Sequence, residues 1–124
     1  MLPHQGQGGA QAIEDSLALG IALTGATSVD LSKRLEIYEK IRRTRASVMQ
    51  QFSNAGQDEP EKIREEAAKF IPVEEVPKSP EEYFAYNFGY DIVRDSAQKM
   101  RAEYPSWSLP AKFFQKDPVR GTYP

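Results

Sequence analysis

The stretch LPHQGQGG, residues 2–9, carries the residue types and spacing that can do chemistry. Gly6, Gly8 and Gly9 leave the backbone bare just ahead of an apolar run that begins at Ala10. A loop that feeds a helix presents N–H groups with no acceptor inside the helix. The helix dipole adds partial positive charge at that point, and glycines let a ligand come close because no Cβ intervenes. The stretch therefore suits a partly negative, flat or phosphate-like group, with the backbones of Gly8, Gly9 and Ala10 as donors. The same glycines also suit a turn that merely allows close packing, and composition leaves both readings open. Two familiar phosphate motifs are excluded. A dinucleotide fingerprint needs a third glycine where Gln11 stands and a strand before it, and the Gly-Lys-Ser/Thr of a P-loop is absent.

Other chemistry-bearing residues have ordinary explanations. His4 titrates near neutrality, but no partner accompanies it, and a single histidine does not make a zinc site. Arg42, Arg43 and Arg45 can hold a phosphate, or they can pair with acids such as Glu39. The aromatic cluster from Tyr83 to Tyr90 can line a pocket or pack a short helix. Asp15 is placed to bond the backbone of the turn.

Helices must position these groups. The first is expected from Gly9 to about Leu23, stopping near Gly25. Its apolar residues cover nearly the whole circumference, which predicts burial on all sides and a cover supplied from outside this chain. A second helix is expected from Leu31 to about Ser53, with Asp30 as N-cap. Its apolar stripe is Leu31, Leu35, Tyr38, Ile41, Arg45, Val48 and Phe52. A short helix should begin near Asp58 and reach Phe70. Residues 71–78 should be extended or irregular. Ser79-Pro80-Glu81-Glu82 starts another helix, and Asp91 caps a last one to Met100 or Arg101. The proline-rich tail beyond residue 104 should lie on an apolar surface or stay loose. No strand is expected.

The 124 residues allow one domain at most, or a piece of one. Hydrophobic residues at 40% and charged residues at 27% are ordinary for a folded protein. A formal net charge of -2 gives no attraction to nucleic acid or an anionic membrane. No apolar run reaches the roughly 18 residues of a membrane span, and the first residues lack a basic n-region, so secretion by a signal peptide is not expected. A cytoplasmic location is the expectation.

LPHQGQGGAQAIEDSLALG resembles the second flavin-contacting segment of FAD-dependent aromatic-ring hydroxylases, the group that includes salicylate hydroxylase. In that family the segment reads Gly-Asp-Ala-Ala-His-Pro-Met-Leu-Pro, then a glycine-rich turn, then a helix bearing Glu-Asp. Pro3, His4, Gln5, Gly6, Gly8, Glu14 and Asp15 match in frame. LEIYEKIRRTRASVMQQFS resembles the family's Tyr-Glu-x-x-Arg-x-x-Arg helix through Tyr38, Glu39, Arg42 and Arg45, and Ser53 matches a serine common downstream. The match covers residues 1 to about 57, and the remainder resembles fungal C-termini loosely.

The resemblance implies a mainly α chain: the helical C-terminal portion of an FAD/NAD(P)-binding α/β fold whose sheet lies outside it. It divides into residues 1–57, the flavin-contacting turn plus two helices; 58–104, a helical region; and 105–124, an irregular tail. FAD would be held by Pro3, Gly6, Gln7, Gly8, Gly9 and Ala10. The Gly9 and Ala10 N–H groups would face the flavin N1/O2 edge, and the Pro3 carbonyl the oxygen-reacting face. NAD(P)H would be the reductant, and a small aromatic molecule the substrate. The partner is the missing N-terminal FAD-binding portion, whose Gly-Asp would hold the ribityl-phosphate region. Without it the chain is expected to be inactive, Met1 being internal to the full protein. The contrasting expectation is a free-standing helical interaction module, which has no need of Gly6, Gly8 and Gly9.

Overall fold

The computed structural model describes residues 6–54 and 59–115. Five helices follow in order: α1 (Gly8–Leu23), α2 (Leu31–Asn54), α3 (Pro60–Ala67), α4 (Pro80–Phe88) and α5 (Ile92–Glu103), with one 3₁₀ turn (Val73–Glu75) between α3 and α4. Among the described residues there is no strand, so the chain is mainly helical.

The long helix α2 is the spine, and two separate cores form along it. Its first half, with α1 and α5, encloses Ala18, Ile21, Ala22, Ile37, Ile41, Ile92 and Met100. Its second half, with α3 and α4, encloses Val48, Met49, Phe52, Ile63, Ala67 and Val76. Phe52 meets Tyr83 and Tyr86 edge to face, with ring centroids 5.0 and 5.4 Å away, an arrangement aromatic quadrupoles favour. Part of the Tyr83–Tyr90 cluster is therefore core, while Phe84 and Phe88 stack on each other 66% and 63% exposed.

Local signals set most helix ends. The Ser79 hydroxyl accepts the Glu82 N–H at 3.2 Å, with Pro80 at the first helical position. Asp91 accepts the Arg94 N–H at 3.0 Å. Three expectations need correction. The third helix begins at Pro60 and ends at Ala67, short of Phe70, and Asp58 lies outside the described residues. Residues 71–78 include the 3₁₀ turn rather than being wholly irregular. Leu31 and Leu35 are exposed, because the buried face of α2 runs through Arg34, Ile37, Ile41, Arg45, Val48 and Phe52.

Helix α1 also departs from all-round burial. Gln11, Ala18, Ile21 and Ala22 are buried against its neighbours, whereas Ile13 is 66% exposed. Part of its cover comes from the chain's own tail. Trp107, Leu109 and Phe113 pack on the first core. The Phe113 ring would lie 3.6 Å from a Cβ at Gly20, so a larger residue there would crowd the tail.

Candidate functional site

Among the described residues, none closes the turn before α1. Gly6 adopts a φ of 61°, a left-handed conformation that glycine tolerates best. Gln7 occupies the N-cap position and makes no side-chain cap hydrogen bond. The first helical bond runs from the Gln11 N–H to the Gln7 carbonyl, 2.8 Å. No acceptor among the described residues meets the N–H of Gly8, Gly9 or Ala10. A Cβ on Gly8 or Gly9 would meet nothing within 4 Å, so packing inside the described chain does not demand these glycines. Of the expected cofactor-facing residues, Gly6, Gln7, Gly8, Gly9 and Ala10 come together in one turn. Pro3 and His4 lie outside the described residues.

The opposite end of α1 is closed. The Gly20 carbonyl accepts the Thr24 hydroxyl at 2.7 Å, and the Ile21 carbonyl accepts the Thr24 N–H at 3.2 Å. The Ala22 carbonyl accepts Arg34 Nη1 at 3.4 Å, and the Leu23 carbonyl accepts the Ala26 N–H at 2.9 Å. All four last carbonyls thus have partners, and Gly25, at a φ of 72°, turns the chain away. Arg34 is buried, with its guanidinium 4.2 Å from the centroid of the Tyr104 ring and its Nε 2.9 Å from Asp30. Asp30 precedes α2, but its carboxylate turns back to the Thr27 N–H at 2.6 Å and the Thr27 hydroxyl at 2.8 Å. The Thr27 amide, then Arg34 and the Thr27 hydroxyl, lower its pKa to about 2.

Between these ends lies a buried ionic cluster. Glu14 accepts from both arginines on the inner face of α2: Arg42 Nη1 at 2.6 Å, Arg45 Nη2 at 3.1 Å and Arg45 Nε at 3.3 Å. Asp15 accepts Arg42 Nε at 2.6 Å, and Gln11 Oε1 accepts Arg42 Nη2 at 2.7 Å. Burial works against the charge on Arg42, but its bonds to Asp15 and Glu14 outweigh it and hold its pKa above the ordinary value. Arg45 also donates to the carbonyls of Tyr86 at 2.7 Å and Asn87 at 3.0 Å, tying the end of α4 to α1. Its guanidinium lies 4.9 and 4.7 Å from the Tyr86 and Tyr90 ring centroids. Burial raises the Tyr90 pKa, and the bond its hydroxyl donates to Asp95 raises it further. Removing one partner from such a buried network costs about 3–5 kcal/mol, because the other charge is left uncompensated.

The cluster decides one open reading and corrects one expectation. Among the described residues the arginines pair with acids, Arg42 and Arg45 with Glu14 and Asp15 and Arg43 with Glu39 at 3.6 Å. Asp15 bonds Arg42 rather than the turn backbone. Gln11, absent from the expected set, is buried beside the turn. One sequence signal could have found the cluster: Arg45 falls within an apolar stripe, and a buried arginine requires a buried acid. A shallow groove of about 380 Å³, lined partly by Arg45, Tyr86, Tyr90 and Lys99, lies near the cluster. Its cations are already paired, Arg45 with Glu14 and Lys99 with Asp95.

Much of the chain is similar in sequence to known enzymes. The chain is 39% identical over 110 residues to the FAD-dependent monooxygenase cfoG of Aspergillus candidus, covering 88% of this chain and 25% of that enzyme. It is 39% identical over 97 residues to the FAD-dependent monooxygenase phomE of Diaporthe leptostromiformis, covering 77% of this chain and 26% of that enzyme. A shorter match, 46% over 55 residues, joins it to salicylate hydroxylase of Pseudomonas putida and covers 43% of this chain and 13% of that enzyme. No family profile and no solved structure matches the chain. The homologues are thus FAD-dependent monooxygenases, and this fits the C-terminal portion of such an enzyme. The chain spans about a quarter of the length of the first two of these relatives. Among the described residues, no helix is long and apolar enough to cross a membrane.

Proposed function

We propose that this chain is the C-terminal portion of a cytoplasmic FAD-dependent monooxygenase. Its whole enzyme hydroxylates a small aromatic substrate with NAD(P)H and O2, and this portion is inactive without the rest. Residues 1–57 would serve the flavin, residues 58–104 would brace them, and 105–124 would form the tail. The observation that carries the reading is the uncapped, glycine-bare head of α1, in a chain whose homologues are FAD enzymes.

The residues present fit a flavin. Open N–H groups at Gly8, Gly9 and Ala10 suit the N1/O2 edge, and buried polar atoms without partners, Gln7 Oε1 and Gln11 Nε2, stand beside them. When bound, FAD supplies the redox chemistry. The chain's own contribution is positional. Fixed N–H dipoles favour negative charge at that edge without reorganising as it develops. The Glu14–Arg42–Arg45 network holds α1 against α2, so the donors keep their direction.

The test uses the flavin-loaded enzyme containing this segment. Gly8→Leu is expected to weaken FAD retention about tenfold, or ~1.4 kcal/mol, without lowering the melting temperature of the flavin-free protein. Unchanged FAD retention would sink the flavin reading. The isolated chain should purify colourless, and FAD-coloured turnover by it alone would refute the need for the rest. A colourless chain with one cooperative melt, whose partner binding is indifferent to Gly8→Leu, would favour the interaction module instead.

A further inference from the structure

Resting on the flavin reading above, we infer that Gln11 is a further cofactor-contacting residue, its carboxamide Nε2 donating to a carbonyl oxygen at the flavin edge. Arginine has donors only, so Arg42 Nη2, 2.7 Å away, can accept nothing from Gln11 and must face its Oε1. That bond fixes which way the amide is flipped and turns Nε2 away from Arg42. Gln11 is 6% exposed, and its Nε2 is buried with no partner among the described residues. A buried donor left unmade is costly, so an acceptor from outside the described residues completes it. The donor lies one turn above the N-cap Gln7, which is itself 3% exposed with a buried, unpartnered Oε1. Residues four apart share a helix face, so Gln11 stands over the same turn whose N–H groups are open. A helix head and a preset side-chain donor on one face select a group rich in acceptors. A flavin, with carbonyl oxygens along one edge, has that pattern.

The experiment exploits an asymmetry of the amide. In the flavin-loaded enzyme, Gln11→Glu keeps an oxygen for Arg42 and deletes the donor. The expected result is an FAD dissociation constant about tenfold higher, within reach of one charge-assisted or neutral hydrogen bond lost. The flavin midpoint potential should also move negative, because a donor favouring the reduced anion has been replaced by a carboxylate. The flavin-free protein should melt as the parent does. Should the carboxylate prevent folding, Gln11→Met removes the donor without charge and should weaken FAD to a similar degree.

Wild-type affinity and potential in the variant that folds would overturn the inference. So would a lowered melting temperature of the flavin-free Gln11→Glu protein with FAD affinity unchanged, since the donor would then serve a protein carbonyl. In either case Gly8→Leu separates the two levels. If it still loses FAD, the flavin reading stands and only the role of Gln11 falls.

Discussion

The two ends of α1 are treated in opposite ways by the same chain. At the C-terminal end, Thr24, Ala26 and Arg34 between them satisfy every one of the last four carbonyls. At the N-terminal end, the first three N–H groups have no acceptor among the described residues, and the N-cap side chain makes no capping bond. Serine or aspartate in place of Gln7 would be the usual remedy, worth about 1 kcal/mol. The chain uses that remedy at α4 and α5, through Ser79 and Asp91. The head of α3, at Glu59, also lacks a side-chain cap, so the head of α1 is set apart by its bare glycines rather than by the missing cap alone.

The largest effect should come from breaking the sealed end. Arg34→Leu strips the Ala22 carbonyl and Asp30 of their shared donor and removes the ring contact with Tyr104. A loss of about 2–3 kcal/mol is expected, read as a lower urea midpoint at unchanged slope. A loss near zero would mean that the closed end is not closed by Arg34.

At the open end the sign should reverse. Gly9→Ala places a methyl where nothing lies within 4 Å and replaces the more flexible residue. The isolated chain should gain about 0.5–1 kcal/mol, measured by the same denaturation. Destabilisation would reveal a packing role for this glycine, and the contrast between the ends would lose its force.

The smallest effect is in acid. The folded pKa of Asp30, about 2, lies below its ordinary 3.8. Its contribution is therefore fully present above pH 3.8 and lost as the pH falls through 2. Carboxyl NMR should follow its titration near pH 2 in the parent, and nearer the ordinary value in Thr27→Pro, which lacks both the N–H and the hydroxyl. A parent value near 3.8 would dissolve the Thr27–Asp30 turn as a clasp.

Much of the helical plan was legible because its signals are local. Ser79-Pro80 and Asp91 act within one turn of themselves, and Gly25 stops α1 by its own backbone freedom. The ionic cluster was half legible. Arg45 stood visibly within an apolar stripe, yet Glu14 is 31 residues away and nothing local pairs them. Leu31 and Leu35 misled because periodicity identifies a face without saying where along the helix its neighbours end. The exposed Ile13 was hidden for a related reason: an apolar circumference records a need for cover, not which part of it the chain's own tail supplies.

By itself the sequence determined the course of the helices, the caps at Ser79 and Asp91, the bare glycine turn and the likeness to flavin enzymes, all of which depend on residues near one another in the chain or on motif order. Only the tertiary structure decided that Glu14 joins Arg42 and Arg45, that Arg34 closes one end of α1, and that Gln11 keeps a donor without a partner among the described residues. Those facts depend on which groups meet after water is excluded, and burial makes each such pairing costly to leave incomplete.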